Sequence, residues 1–405
     1  MVRFTSRLPL LADLPNMASL TYRVPADSGL FNDDGRWSEC GHYPEVGDLS
    51  ADSLQAEYDS PPQETLPPYF ARLRPAGGDV AGVFSGWIAK CGEQFSVGGQ
   101  DYVAKLETGR PGLPAGTSLL TVTNTKHIGV TGDWYFGPPG VQIVATESGG
   151  IAFEAWAVAV PGDEQRQEEQ LAAMVRSFQE QPVPYPGPPV ARWTPAQLSR
   201  LFVKSGQTNG RIDIAAPNDE VDEPRTEPPA EWVCDDDPLR ASEYAGVSGA
   251  DQPTGVDALV KYSGSYPAEG RGTPVTVVYR EDPGVDYLAR VRDWTAHCAT
   301  HPESVPPLCV SSGLQPDFTP ATATIEGEPV FGFRRFDPDE TPGGHGGHPS
   351  CIGTAQAALT VRVAGLLVQT EMDIDAPEGP PDWDTAVRPL EAQVAQVIRV
   401  IHGAS

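Results

Sequence analysis

The pattern Trp-x-Ala-x-Cys occurs twice in this chain, as GWIAKCG around Trp87 and Cys91 and as DWTAHCA around Trp294 and Cys298, 207 positions later. With only six cysteines and eight tryptophans in the chain, a pattern spent twice constrains the architecture. Trp at i and Cys at i+4 lie one above the other on a helix. The neighbouring apolar residues keep the same spacing: Val80, Val83, Phe84, Trp87 and Cys91 in the first copy, and Leu288, Val291, Trp294 and Cys298 in the second. Steps of one, three and four place each set on one face, so both segments are read as amphipathic helices with the cysteine turned inward.

The order of events around each helix is also repeated. A Trp close before a Cys comes first, in RWSEC ending at Cys40 and EWVC ending at Cys234. After the helix come β-rich stretches: Thr117–Thr125, Val141–Ser148 and Ile151–Val160 in the first half, and Ala358–Ile374, bent near Gly365, in the second. Each half closes with an amphipathic helix. The first starts after Asp163 with Leu171, Met174, Val175 and Phe178 inside. The second starts near Thr385 with Val387, Leu390, Val394, Val397, Ile398 and Ile401 inside, and Pro389 in its first turn. QPVPYPGPP at Gln181–Pro189 favours extended polyproline geometry and separates the halves. The expected fold class is α+β: two tandem related domains, 1–180 and 191–405, joined by a proline-rich linker at 181–190. Each is expected to be an antiparallel sheet with flanking helices and a closing C-terminal helix.

Six cysteines without a C-x-x-C allow 15 pairings, and buried free thiols are the alternative. If the halves share a fold, equivalent cysteines share a role. That pairs Cys40 with Cys91, 51 positions apart, and Cys234 with Cys298, 64 apart, leaving Cys309 and Cys351 for each other. Trp87 and Trp294 would then cover the sulfurs, a structural part.

The second half resembles the extracellular sensor domains of mycobacterial PknH-type receptor kinases and their secreted or lipid-anchored relatives. The resemblance lies in ARWTPAQLSRLF (Ala191–Phe202) as an opening helix, EWVC, RDWTAHC, PPLC ending at Cys309, HPSC ending at Cys351, and the closing helix. It covers about 210 residues and is looser over 1–180, where no opening helix precedes Leu20–Asp27. The resemblance implies a two-disulfide framework in the second half, Cys234 with Cys298 and Cys309 with Cys351. It also implies a sheet-and-helix fold with a cleft, and ligand sensing outside the membrane. No kinase signature (G-x-G-x-x-G, H-R-D or D-F-G) is present.

The formal net charge is −27, from 28 basic and 55 acidic residues. A polyanion is repelled by such a chain unless a basic patch offsets the charge, and no basic run occurs, so nucleic acid is not an expected partner. The apolar run Leu8–Leu14 is too short for a membrane span or a secretion signal. An extracytoplasmic location, secreted or associated with the envelope, therefore rests on the cysteines and the resemblance.

G-x-S-x-G, H-E-x-x-H and G-x-x-x-x-G-K-[ST] are missing. The segment FDPDETPGGHGGHPSC gathers Asp337, Asp339, Glu340, His345 and His348 on glycine-rich chain. Imidazoles and carboxylates at this density are weak candidates for a divalent-metal site, set against a solvated loop. The expected function is non-catalytic: a sensor-like protein binding a small molecule, lipid or envelope component without a cofactor. An envelope protein–protein interaction module and a metal-dependent hydrolase using the His345/His348 loop are the alternatives. Binding residues, ligand and oligomeric state are not legible.

Overall fold

The structure, a computed structural model, describes residues 4–23, 40, 44–47, 53–61, 67–97, 100–125, 140–180, 189–202, 209–214, 234, 256–263, 272–281, 286–301, 305, 316–337, 354–376 and 379–404. The chain divides into two compact units, Met1–Pro184 with Val203–Gly210, and Tyr185–Phe202 with Arg211–Ser405.

The first unit opens with two 3-10 turns, Phe4–Arg7 and Leu11–Asp13, followed by β1 (Ser19–Arg23), β2 (Leu54–Asp59) and β3 (Tyr69–Pro75). Helix α1 (Val80–Cys91) follows, then β4 (Gln94–Val97), β5 (Gln100–Thr108), β6 (Ser118–Asn124), β7 (Gly140–Ser148), β8 (Ile151–Val158) and α2 (Glu164–Glu180). Its strands run antiparallel in the order β1-β2-β3-β8-β7-β6-β5-β4. The β7–β8 hairpin turns through Gly149 and Gly150, both at positive φ (60° and 76°), the backbone that a tight two-residue hairpin requires. Helix α1 packs on β5, β6 and β7; α2 packs on β7 and β8 from the other face, where Phe178 stacks on Phe153 with centroids 4.7 Å apart.

The second unit starts with short helical turns. β9 (Asn209–Ile214), β10 (Val256–Ser263) and β11 (Val275–Glu281) come next, then α4 (Tyr287–Thr300). A meander of β12 (Asp317–Ile325), β13 (Glu328–Asp337), β14 (Thr354–Val363) and β15 (Leu366–Asp375) leads to α5 (Trp383–Ala386) and α6 (Arg388–Ala404). The strand order is β9-β10-β11-β15-β14-β13-β12, antiparallel throughout.

Each unit thus follows one path. Three strands lead to a helix carrying the Trp-x-Ala-x-Cys pattern. A meander then returns its last strand to pair with the third, and a helix closes on the opposite face. The first unit adds only the edge strand β4. In the second, α4 packs on β12, β13 and β14, while Gln393 of α6 reaches Thr276 on the other face.

The closing helices follow their sequence stripes. Leu171, Met174, Val175 and Phe178 are fully buried, as are Leu390, Val394, Ile398 and Ile401. Pro389 occupies the first turn of α6, where a missing N–H costs no helical bond. The hairpin expected near Gly365 turns through Ala364 and Gly365.

Two expectations need correction. Val83, placed on the inner stripe of α1, is 38% exposed. At 100° per residue it lies about 100° from Phe84, beyond the margin of a face centred on Val80, Phe84, Ile88 and Cys91. Ala191–Phe202 is not one helix but a 3-10 turn (Val190–Arg192), α3 (Pro195–Leu198) and a second 3-10 turn (Ser199–Leu201). Thr194 restarts the chain. Its hydroxyl accepts from the Gln197 N–H (3.2 Å), Gln197 Oε1 accepts from the Thr194 N–H (2.9 Å), and Pro195 holds the Thr194 backbone extended.

Candidate functional site

Both repeated cysteine pairs are joined. Cys40 and Cys91 have sulfurs 2.07 Å apart and Cα atoms 5.5 Å apart; for Cys234 and Cys298 the values are 2.10 and 5.7 Å. Each bond ties the helix that follows the third strand to a segment outside the sheet. Loops of 51 and 64 residues closed in this way are worth about 2–4 kcal/mol each. Cys309 and Cys351, and with them the third expected pair, lie outside the described residues.

The two bonds differ in cover. Cys234 and Cys298 are 3% and 0% exposed and share a core cluster with Trp294, whose ring meets Phe318 and Phe333 edge-on at 5.5 and 5.6 Å. Cys40 and Cys91 are only half-buried, as is Trp87, which turns its edge to Phe95 at 5.4 Å. In the second unit the Trp294 indole and the disulfide are thus sealed in one core cluster, whereas in the first both the indole and the cysteines stay partly exposed.

The chain after Cys40 builds the most elaborate polar arrangement among the described residues. Gly47, at φ +90°, brings the backbone so close to the sheet that a Cβ there would meet Pro75 O at 2.8 Å, Arg74 Cβ at 2.9 Å and Ala152 Cβ at 3.0 Å. A residue that is both left-handed and without a side chain is needed there. The segment 44–47 therefore lies against β3 and β8. Val46 enters the core cluster beneath α1 and its N–H donates to Glu154 Oε2 (3.2 Å). Glu45 reaches Arg72 Nη1 and Arg74 Nη2, each at 2.6 Å.

Beneath Glu45, Arg72 of β3 and Glu154 of β8 are cross-strand partners, joined Nη1 to Oε1 at 2.9 Å and both buried. With the Gln55 amide oriented oxygen-first, Oε1 accepts from Arg72 Nη2 (3.1 Å) and Nε (3.2 Å). The guanidinium also lies 5.3 Å from the Trp156 ring, which stacks on Phe70. Burial pushes the Glu154 carboxyl up to about 7; Arg72 opposes the shift and the neighbouring Glu45 charge adds to it. Burial also raises Glu45, but Arg72 and Arg74 outweigh it and hold its carboxyl below the usual range. The cluster can exchange a proton near neutrality and clasps segment 44–47 to the sheet.

On the same face of this unit, an open cleft of about 450 Å³ lies between α1 and β5. Ile88, Val103 and Leu106 form its apolar wall, with Ser85, Glu93 and Lys105 around them. Its scale and its mix of apolar wall and few polar groups suit a small amphipathic molecule.

The second unit has a charged group of its own, on β9 and β10, strands that correspond to β1 and β2 rather than to β3 and β8. Arg211 Nε meets both oxygens of Asp213 at 3.1 Å on β9, and Lys261 of β10 is directly opposite Asp213. Burial lowers the Lys261 ammonium, against the opposing pull of Asp213 and Glu371.

Of the weak metal candidates, Asp337 is described. It is buried at the end of β13, its Oδ1 accepting from Arg335 Nε (2.9 Å) and its Oδ2 from Nη2 (3.3 Å). Asp339, Glu340, His345 and His348 lie outside the described residues. Among the described residues, no three or more His, Cys, Asp and Glu side chains gather as a metal site, and no helix is long and apolar enough to cross a membrane. Arg72, Glu154 and Glu45 were missed by sequence reasoning. The available signal was a lone Glu in the otherwise apolar IAFEAWAV and alternating Arg in YFARLR.

No protein-family model matches the chain, and no curated protein matches it. Among solved structures, the crystal structure of DynU16, a protein of the dynemicin biosynthetic locus, covers 83% of this chain and 99% of its own. It is 12% identical with a TM-score of 0.14, a likeness that carries no argument about fold or function.

Proposed function

We propose that this protein is a non-catalytic, extracytoplasmic, sensor-like binding protein made of two related tandem domains of the PknH-sensor type. The observation that carries the reading is the equivalent placement of the two disulfides, each fastening the helix after the third strand in a unit of the same strand order. Two such bonds suit an oxidising compartment, where thiols are not kept reduced. The cleft beside α1 supplies a place for a small amphipathic ligand, the apolar part against Ile88, Val103 and Leu106 and a polar end near Lys105 or Glu93.

Two measurements test this. Alkylation of the protein as isolated from its native cell, without reductant, should leave Cys40, Cys91, Cys234 and Cys298 unlabelled; free thiols at these positions would remove the compartment. The amphipathic fluorophore anilinonaphthalene sulfonate should bind saturably to the folded protein. Binding should be lost in Leu106→Trp, which fills the cleft; equal fluorescence from the variant would remove the cleft as the binding site.

A further inference from the structure

The two disulfides occupy one topological position but differ in their surroundings. Cys234–Cys298 is sealed within a cluster that includes Trp294, Phe318 and Phe333. Cys40–Cys91 is partly exposed, at the end of α1, beside a Trp87 that is itself only half-buried. Thiol–disulfide exchange needs in-line access of a thiolate to sulfur, so this difference in cover is a difference in reactivity.

The exposed bond also has something to release. Beyond Cys40, segment 44–47 is held by the Val46 side chain, by the Val46 N–H on Glu154, and by Glu45 on Arg72 and Arg74. The Glu45 side chain is 41% exposed, so its ion pairs are screened and weak. The covalent tether keeps the segment close to these partners; without it, each contact must offset the entropy of closing a longer loop.

We propose that Cys40–Cys91 is a reductant-sensitive latch, opened by a dithiol while Cys234–Cys298 stays closed, and that its opening frees segment 44–47 from the Arg72–Glu154 pair. The exchange balances. One thiolate of the dithiol attacks a sulfur of the pair and forms a mixed disulfide. The dithiol's second sulfur then displaces the cysteine, the reductant leaves as its own disulfide, and two protons end on the Cys40 and Cys91 thiols. The dithiol loses the two electrons that the protein disulfide gains. The consequence is local: water reaches a buried guanidinium–carboxylate pair, and the apolar floor under Val46 opens beside α1.

The test uses the full oxidised chain in native buffer. Samples equilibrated with increasing dithiothreitol are quenched with N-ethylmaleimide and mapped by peptide mass spectrometry. Cys40 and Cys91 are expected to label at dithiothreitol concentrations about tenfold or more below those needed for Cys234 and Cys298. In the selectively reduced sample, hydrogen exchange at the Val46 amide should accelerate about a hundredfold, with α4 amides unchanged. Equal reactivity of the two pairs, earlier opening of Cys234–Cys298, or unchanged Val46 exchange after Cys40–Cys91 opens would each overturn the latch. The Cys40→Ser/Cys91→Ser protein supplies a second reading, since it should exchange Val46 as fast as the reduced wild type. Wild-type protection in a folded double variant would equally overturn the proposal.

Discussion

Glu154 and Arg72 face one another across the β8–β3 pair at 2.9 Å, both closed off from solvent, with Glu45 stacked over them from a disulfide-tethered segment. The sheet places two ions 82 residues apart in sequence where neither can be hydrated alone. Each is therefore the other's condition for being buried.

Removing one ion should cost more than the pair is worth. Arg72→Ala leaves the Glu154 carboxylate without its main partner and is expected to destabilise the protein by about 3–5 kcal/mol. Arg72→Leu combined with Glu154→Leu should cost clearly less than the sum of the two single changes. Urea unfolding of the four proteins measures the coupling, and simple additivity would deny it.

The same pair sets a pH dependence. The folded-state pKa of Glu154 is raised from 4.5 to about 7, so the folded chain binds the extra proton between those values. Stability should therefore fall as pH rises from about 4.5 to 7 and level off above. Glu45 acts in the opposite sense: its lowered carboxyl stabilises above about 4.5, and that contribution is lost as pH falls. Melting temperatures across this range should decline toward pH 7 in the wild type and flatten in Glu154→Gln.

Two glycines should respond differently. A Cβ at Gly332 on β13 would collide with the Ala358 carbonyl oxygen of β14, part of a strand backbone rather than a movable side chain. Gly332→Ala should cost about 2 kcal/mol or more. Gly403, on α6 with nothing within 4 Å of its would-be Cβ, gains helix propensity instead. Gly403→Ala should be neutral or stabilise by up to about 0.5 kcal/mol. Differential scanning calorimetry should show a lowered transition for Gly332→Ala and an unchanged or raised one for Gly403→Ala.

Leu390 is fully buried, at 0% accessibility, in the first turns of α6. Leu390→Ala should cost about 2–5 kcal/mol through lost burial and the cavity left behind. Arg399→Ala, whose ion pair with Glu326 is on the surface, should change stability by less than about 1 kcal/mol. Guanidinium denaturation of both separates the helix's apolar stripe from its surface charge.

Helices and their partners differed in how far they could be read ahead. The stripes of α2 and α6 follow from spacing, because a helix repeats within a few residues and its burial writes that period into the chain. Trp294 and Cys298 were legible for the same reason, and the repeat extended the inference to Cys234. Strands β1–β5 and β9–β13 were not named in advance. Several are short or carry charge, as in NGRIDI and YFARLR, and their alternation is weak until the neighbouring strand is known. The restart at Thr194 was legible in kind, from Thr-Pro with Gln three residues after Thr, yet the apolar residues around it mask the break.

By itself, the chain's order of residues determined a mix of helices and antiparallel strands, its closing helices, and two cysteine pairings confirmed by sulfurs within bonding distance. Those properties arise from short-range period and from repetition. Only the tertiary structure decided that Arg72 meets Glu154, that Glu45 covers them, and that one disulfide is sealed while the other is open. These depend on which strand returns to lie beside β3 and on what packs above it, relations between distant segments that no local pattern encodes.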